Sequence, residues 1–200
     1  MARRVAPVAR RAAPGGATGG TGGATGGTGG ATGGTGGTGG TPCATIVINE
    51  VSVDGASGGD EFVELYNKGT CSAALSGYTL KYAAASATTG SNVWTAAVTD
   101  TLAAGGYFVI GGGSYTGAKN GSLVNGLAAA GGGVALYSGT NKLDGMAYGS
   151  ALATHPYVEG TPTPTIPSNQ SAARKPNGTD TNSNSADFKI GARSAGAANP

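Results

Sequence analysis

The stretch DEFVELYN, Asp60 to Asn67, decides the fold. It follows IVINEVSV (Ile46 to Val53) and precedes LSGYTLKY (Leu75 to Tyr82). All three runs are rich in β-branched and aromatic residues, and turn-forming residues separate them, which predicts three successive strands. Side chains alternate along an extended chain, so Val63 and Leu65 share a face with Glu61 and Asn67, while Phe62, Glu64 and Tyr66 take the other. Large apolar groups on both faces suit a central strand, with a packed core on one side and a partly covered surface on the other.

Working outward, strands are expected near 45–53, 60–67, 76–84, 91–98, 105–111, 133–138 and 142–148. DGASGG (Asp54 to Gly59) reads as a hairpin loop, and NKGTCSAA (Asn67 to Ala74) leads into the third strand. Val93, Trp94 and Val98 mark a short strand carrying the single tryptophan. Residues 111–132 are a Gly- and Ala-rich connection, read as an irregular crossover. GVALYSGTNKLDGMAYG is a hairpin turning at Gly139 to Asn141. No segment shows a helical period with caps. Seven short strands separated by turn signals predict a two-sheet sandwich. This folded module spans 42–153. A C-terminal extension, 154–200, is Pro- and Thr-rich and then Asn- and Asp-rich, with Phe188 and Ile190 as anchors; it is expected to pack on the sandwich and close an edge.

The start of the chain differs in kind. Residues 1–14 form a basic leader containing Arg3, Arg4, Arg10 and Arg11. Residues 15–41 contain only Gly, Thr and Ala, in GGT and GGAT units, and hold 16 of the 40 glycines. Nothing in that tract can bury enough apolar area to offset the entropy of ordering it, so it reads as a disordered linker. Its four-residue units break the period of three that collagen needs. A random coil of this length spans about 25–30 Å. The leader has the basic start of a signal peptide but no apolar h-region, so no signal peptide is recognisable. Export by another route, a start further upstream and a cytoplasmic location all stay open on that evidence. No run of 18 apolar residues offers a transmembrane helix.

The overall charge of +2 belongs to the leader, because from Pro42 onward 8 Lys or Arg face 10 Asp or Glu. A nearly neutral module is a poor partner for nucleic acid, whose phosphates need clustered cations. Cys43 stands before the first strand and Cys71 after the second, ends that lie side by side in an antiparallel hairpin. A disulfide there would stabilise the fold by about 3.5 kcal/mol and place the protein in an oxidising compartment; two unpaired thiols are the alternative.

INE, then DEFVELYN, then LSGYTL resembles the opening of the lamin-tail domain, the immunoglobulin-like module of nuclear lamin tails, in its bacterial form. Asn49, Glu50, Glu61, Phe62, Val63, Glu64, Leu65, Tyr66, Asn67, Leu75, Ser76 and Gly77 carry the likeness. It continues through LAAGGYFVI and GGGVALYS, ends in RKPNGTDTNSNSADF and RSAGAAN, and covers about residues 44–199. The resemblance implies an all-β, immunoglobulin-like sandwich. It also implies that such domains accompany secreted hydrolases or stand alone.

Catalytic chemistry finds little support. The single histidine, His155, precedes Pro156 in a loop-rich stretch and reads as an exposed loop residue, without the rigidity a general base needs. One His and two distant Cys fall short of a zinc site. Glu61 and Glu64 face opposite sides of their strand. Glu50 and Glu64 can meet across paired strands, but a glycosidase needs a sugar-sized cleft beside such a pair. Asn49, Glu50 and Glu64 are therefore expected to bond loop backbone at the sandwich edge. In DTNSNSAD, Asp180, Asn182, Asn184 and Asp187 alternate like calcium-loop oxygen ligands, yet Ser185 stands where such loops carry glycine and Gly191 where they carry glutamate. Asx-type turns are the competing reading. No other cofactor is expected.

These readings converge on a non-enzymatic binding or anchoring module, secreted or at the cell surface, with a protein or glycan ligand. An accessory domain working with a secreted hydrolase is one alternative. A cytoplasmic nucleic-acid-associated or filament-associated module, with the basic leader as its contact, is another.

Overall fold

The computed structural model describes residues 43–55 and 57–200. The expected leader and Gly-rich linker lie outside the described residues. The described chain is almost entirely β-structure, arranged as two facing sheets. Six strands run in the order β12–β11–β1–β2–β7–β8. Here β1 is Ile46–Ser52, β2 Phe62–Asn67, β7 Tyr107–Gly111, β8 Gly121–Ser122, β11 Gln170–Arg174 and β12 Phe188–Ala192. The second sheet has the order β10–β9–β4–β5, from Asn141–Gly149, Gly131–Ser138, Tyr78–Ala84 and Ser91–Thr95. A short pair, β3 (Ala73–Ala74) with β6 (Thr101–Leu102), stands apart, and one helical turn, α1 (Asn184–Asp187), precedes β12. This is the expected immunoglobulin-like sandwich.

The strand DEFVELYN is central, as its two apolar faces require: β2 pairs with β1 on one side and β7 on the other. Val63 and Leu65 point into the core between the sheets with Ile48, Val51 and Ile110, against Leu80, Val134, Leu136 and Met146 of the facing sheet. Each fully buried side chain of this kind contributes about 1.5–3 kcal/mol. Gly139 has φ +59° and makes the tight β9–β10 turn, a conformation that costs a residue with a Cβ.

Three sequence expectations need correction. The strand at 91–98 stops at Thr95, and Val98 is 82% exposed in the turn that follows. The connection 111–132 is not wholly irregular: β8 lies parallel to β7, and Leu123 and Leu127 are buried. The sequence reading also places no strand after residue 148, whereas β11 and β12 extend the six-stranded sheet beyond β1. Their sequences, QSAAR and FKIGA, are too short and too small-residued to show a period. β11 becomes a strand because it pairs with the edge of β1, and β12 because it pairs with β11. In the second sheet, the edge strand β10 is covered by Thr163, which exchanges backbone bonds with Ala147 and Gly149.

Candidate functional site

Two glutamates, Glu50 of β1 and Glu64 of β2, lie on the outer face of the six-stranded sheet. There Glu50 lies directly opposite Glu64. Simple alternation along β1 would put Ile46, Ile48 and Glu50 on one face. A bulge between Ile48 and Glu50 adds a residue and resets the parity. Val51 and Val53 thereby join Ile46 and Ile48 in the core, and Glu50 turns outward.

Both glutamates are fully buried, beneath the last residues of the chain. Ser194 donates to Glu50 from its backbone N and its Oγ, each at 2.8 Å. Asn49 Nδ2 donates to Glu64 Oε1 at 2.9 Å, and the Gly196 N–H to Oε2 at 2.6 Å. Asn49 Oδ1 accepts the Gly178 N–H, and Asn199 Nδ2 bonds the carbonyls of Asn49 and Arg174. Burial pushes the Glu64 carboxyl up to about 7; hydrogen bonds from Asn49 and Gly196 oppose this, and the charge of Glu50 adds to it. Every oxygen of the pair receives a donor from the chain itself, so the arrangement works as a latch for the C-terminal segment.

The remaining motif residues also bind the chain to itself. Glu61 Oε2 accepts the Leu127 N–H at 2.8 Å, pinning the long connection. Phe62 packs against Tyr115 and beneath the Arg193 guanidinium, which chelates Asp60. Leu65 is core. Asn67 makes four bonds, accepting from the N–H groups of Thr45 and Gly69 and donating to the carbonyls of Cys71 and Leu102. It thereby organises the loop that the Cys43–Cys71 disulfide closes. Gly77, with φ +84°, makes the turn into β4.

A second polar cluster lies between the sheets. Arg174 of β11 is the largest fully buried side chain. Its Nε donates to the Ile48 carbonyl at 2.7 Å, and its Nη2 to both oxygens of Asp144 at 2.8 and 3.0 Å. Its Nη1 donates to Asp187 and to the Thr179 carbonyl, with Asp180 at 3.5 Å. The guanidinium stacks over Phe188, 4.4 Å from the ring centre. Asp144 also accepts the N–H groups of Ile48 and Gly145, so one Asp–Arg pair ties β10 to β1 and β11. Sequence reasoning missed both residues. The signal was a lone arginine in a run of small residues, QSAAR, followed by four acids or amides within ten positions.

The four expected calcium ligands lie in and beside this cluster. Asp187 accepts the Thr181 N–H and hydroxyl as well as Arg174, and these donors hold its carboxyl below the usual range against the opposing effect of burial. Asn184 Oδ1 accepts from Ala147 and Glu159, and its Nδ2 donates to Gly145. Asp180 Oδ1 accepts the Asn182 N–H, an Asx turn. Asp180, Asn184 and Asp187 thus each spend side-chain oxygens on donors of the chain itself.

His155 also departs from expectation. It is only 4% exposed. Its Nε2 lies 3.3 Å from the Ala83 carbonyl, and Nδ1 accepts the Tyr157 N–H. A Cβ on Gly133 would fall 2.5 Å from the ring, so that glycine makes room for it. Both nitrogens face backbone, as in a packed core histidine.

A groove of about 430 Å³ lies between β5 and β8, lined by Asn92, Trp94, Thr95, Asp100, Asn120 and Ser122. Trp94, only 5% exposed, is one of its lining residues, and the absence of a Cβ at Gly121 leaves room for its indole Nε1. No helix among the described residues is long and apolar enough to cross a membrane.

No curated protein matches this chain. The sequence model of the Lamin Tail Domain family matches residues 40–150, which spans β1 through β10 and includes every outer-face glutamate described above. The chain therefore belongs to the Lamin Tail Domain family.

Proposed function

We propose that this chain is a non-enzymatic binding or anchoring module of the bacterial type of its family, working at the cell surface or in a secreted assembly. The observation that carries this reading is the Cys43–Cys71 disulfide, which closes the neck of the sandwich. Such bridges persist in oxidising compartments and are rare where thiols are kept reduced. The buried carboxylates support the non-enzymatic part, because their oxygens are taken up by the chain's own donors. The ligand is a protein or glycan segment seated in the groove between β5 and β8, where amide and hydroxyl groups surround an indole.

Cell fractionation with thiol alkylation before and after reduction tests the location. The protein is expected in the medium or envelope, with both cysteines protected until reductant is added. Recovery from cytoplasm with two alkylated thiols would sink the proposal. For the ligand, Trp94 is the only tryptophan in the chain, so intrinsic fluorescence reports on the groove. Glycans or peptides that bind on an array should shift its emission, and Asn120→Ala should weaken the binding.

A further inference from the structure

Beside the Arg174 cluster, three carboxylates, Asp144, Glu159 and Asp180, each bring one oxygen within 4.8 Å of the others. Two belong to the segment after residue 153 and one to β10, so the complete fold is needed to assemble them. A cluster of acids on a surface means little, but this one contains an anomaly. Glu159 Oε2 is buried and has no hydrogen-bond donor, the one such side-chain atom among the described residues. The Glu159 side chain retains only 10% of its accessible surface. Its backbone is fixed where it is, because the Glu159 N–H donates to Asn184 Oδ1 at 3.0 Å. Native structures pair nearly all such buried polar atoms, and an orphan calls for an unseen partner.

The local charge points to what that partner is. Four carboxylates, Asp144, Asp180, Asp187 and Glu159, face two cations, Arg174 and Lys142. Arg174 is spent on Asp144 and Asp187 at 2.8 and 3.0 Å and reaches Asp180 only at 3.5 Å. Lys142 reaches Glu159 only at 3.8 Å and is 36% exposed. Glu159 and Asp180 are thus the under-compensated members. Asp180 keeps 20% of its side-chain surface and lines a pocket of about 310 Å³ with Thr45, Ser138 and Leu143, which gives a path in from solvent. Asp144, held by Arg174 and two backbone N–H groups, forms the rigid wall.

We propose that Glu159, Asp180 and Asp144 form a site for one hard divalent cation of the calcium class, with Glu159 Oε2 and Asp180 as direct ligands. All the ligand atoms are oxygens, which suits such an ion and not zinc or copper. Few protein ligands and one well-ordered carboxylate wall suggest a dissociation constant of about 10⁻⁴–10⁻³ M, the range of extracellular modules.

The test uses the full chain, stripped with chelator and titrated with calcium or magnesium chloride by calorimetry and by thermal melting. Calcium at one ion per chain should raise the melting midpoint, and chelator should reverse the rise. Glu159→Gln should abolish both signals while melting cooperatively, and Asp180→Asn should weaken binding at least tenfold. Lys142→Ala should bind as tightly as the parent or more so. Three outcomes would overturn the proposal: no heat and no shift with either ion; equal calcium stabilisation in the parent and in Glu159→Gln, which would place the ion elsewhere; or Glu159→Gln stabilising a parent that ignores calcium, which would make Oε2 a mere uncompensated charge.

Discussion

Arg174 concentrates more of the fold's polar energetics than any other side chain, because one guanidinium serves a carbonyl of β1, Asp144 of β10 and Asp187 before β12. A buried ion pair adds little over a well-packed apolar substitute, but removing one partner strands the other. Arg174→Met should therefore destabilise the protein by about 3–5 kcal/mol, seen as a lower urea midpoint at an unchanged slope. Glu64 makes a different prediction, in pH. Its folded-state carboxyl is raised to about 7 from the ordinary 4.5, so the folded protein holds that proton more tightly than the unfolded chain does. The stabilisation is fully present below about pH 4.5 and is lost as pH rises through 7. Glu50, Tyr107 and Tyr115 are the titratable groups that share its electrostatic surroundings, and Glu159, also raised to about 7, adds the same sign in the same window. Stability should fall by roughly 2 kcal/mol per group between pH 5 and pH 8. Subtracting the Glu64→Gln profile from the parent profile isolates the Glu64 share; parallel profiles would rule it out.

At the scale of elements, the last eight residues act as a strap across β1 and β2. Ser194, Gly196 and Asn199 supply the donors that the Glu50–Glu64 face requires. Truncation after Ala192 leaves two adjacent carboxylates uncovered and also removes the Arg193–Asp60 chelate. It should lower the melting midpoint, and hydrogen exchange should speed up in β1 and β2 before β9 and β10. Uniform acceleration would show that the strap does not act locally. This element also marks the limit of what the sequence discloses. The sandwich was legible because β1, β2, β4, β7, β9 and β10 carry β-branched, aromatic and other apolar residues between turn signals, and propensity and burial agree there. β11 and β12 were not legible: β11 becomes a strand by pairing with β1, more than a hundred positions away, and β12 by pairing in turn with β11. The bulge at Asn49 lay in plain view. In IVINEVSV the apolar positions switch from even to odd numbers, a change of parity that only an inserted residue can reconcile with one buried face. His155 misled because loop composition says nothing of what folds over it, here the facing Gly133.

At the scale of the whole molecule, the family match stops at residue 150 while the fold does not. Residues 155–199 contribute the covers of β1 and β10, the arginine of the buried cluster and the strap. A protein ending near residue 150 should fail to fold cooperatively, detectable as loss of a sharp calorimetric transition. The disulfide acts on this same scale. By loop-closure entropy, reducing it should cost about 3.5 kcal/mol, measured as the change in unfolding free energy between oxidised and reduced protein.

The position of that bridge has a mechanical consequence. Tension arriving along the backbone from the N-terminal side meets Cys43 first, and the covalent link passes it directly to Cys71, 28 residues further along. β1 and the central strand lie inside the bypassed loop, so a pull from that end cannot unzip them in sequence. The length so withheld is roughly 28 residues of extended chain, about 90–100 Å. Stretched between its ends in a single-molecule experiment, the reduced protein should rupture at lower force and lengthen by about that much more than the oxidised one.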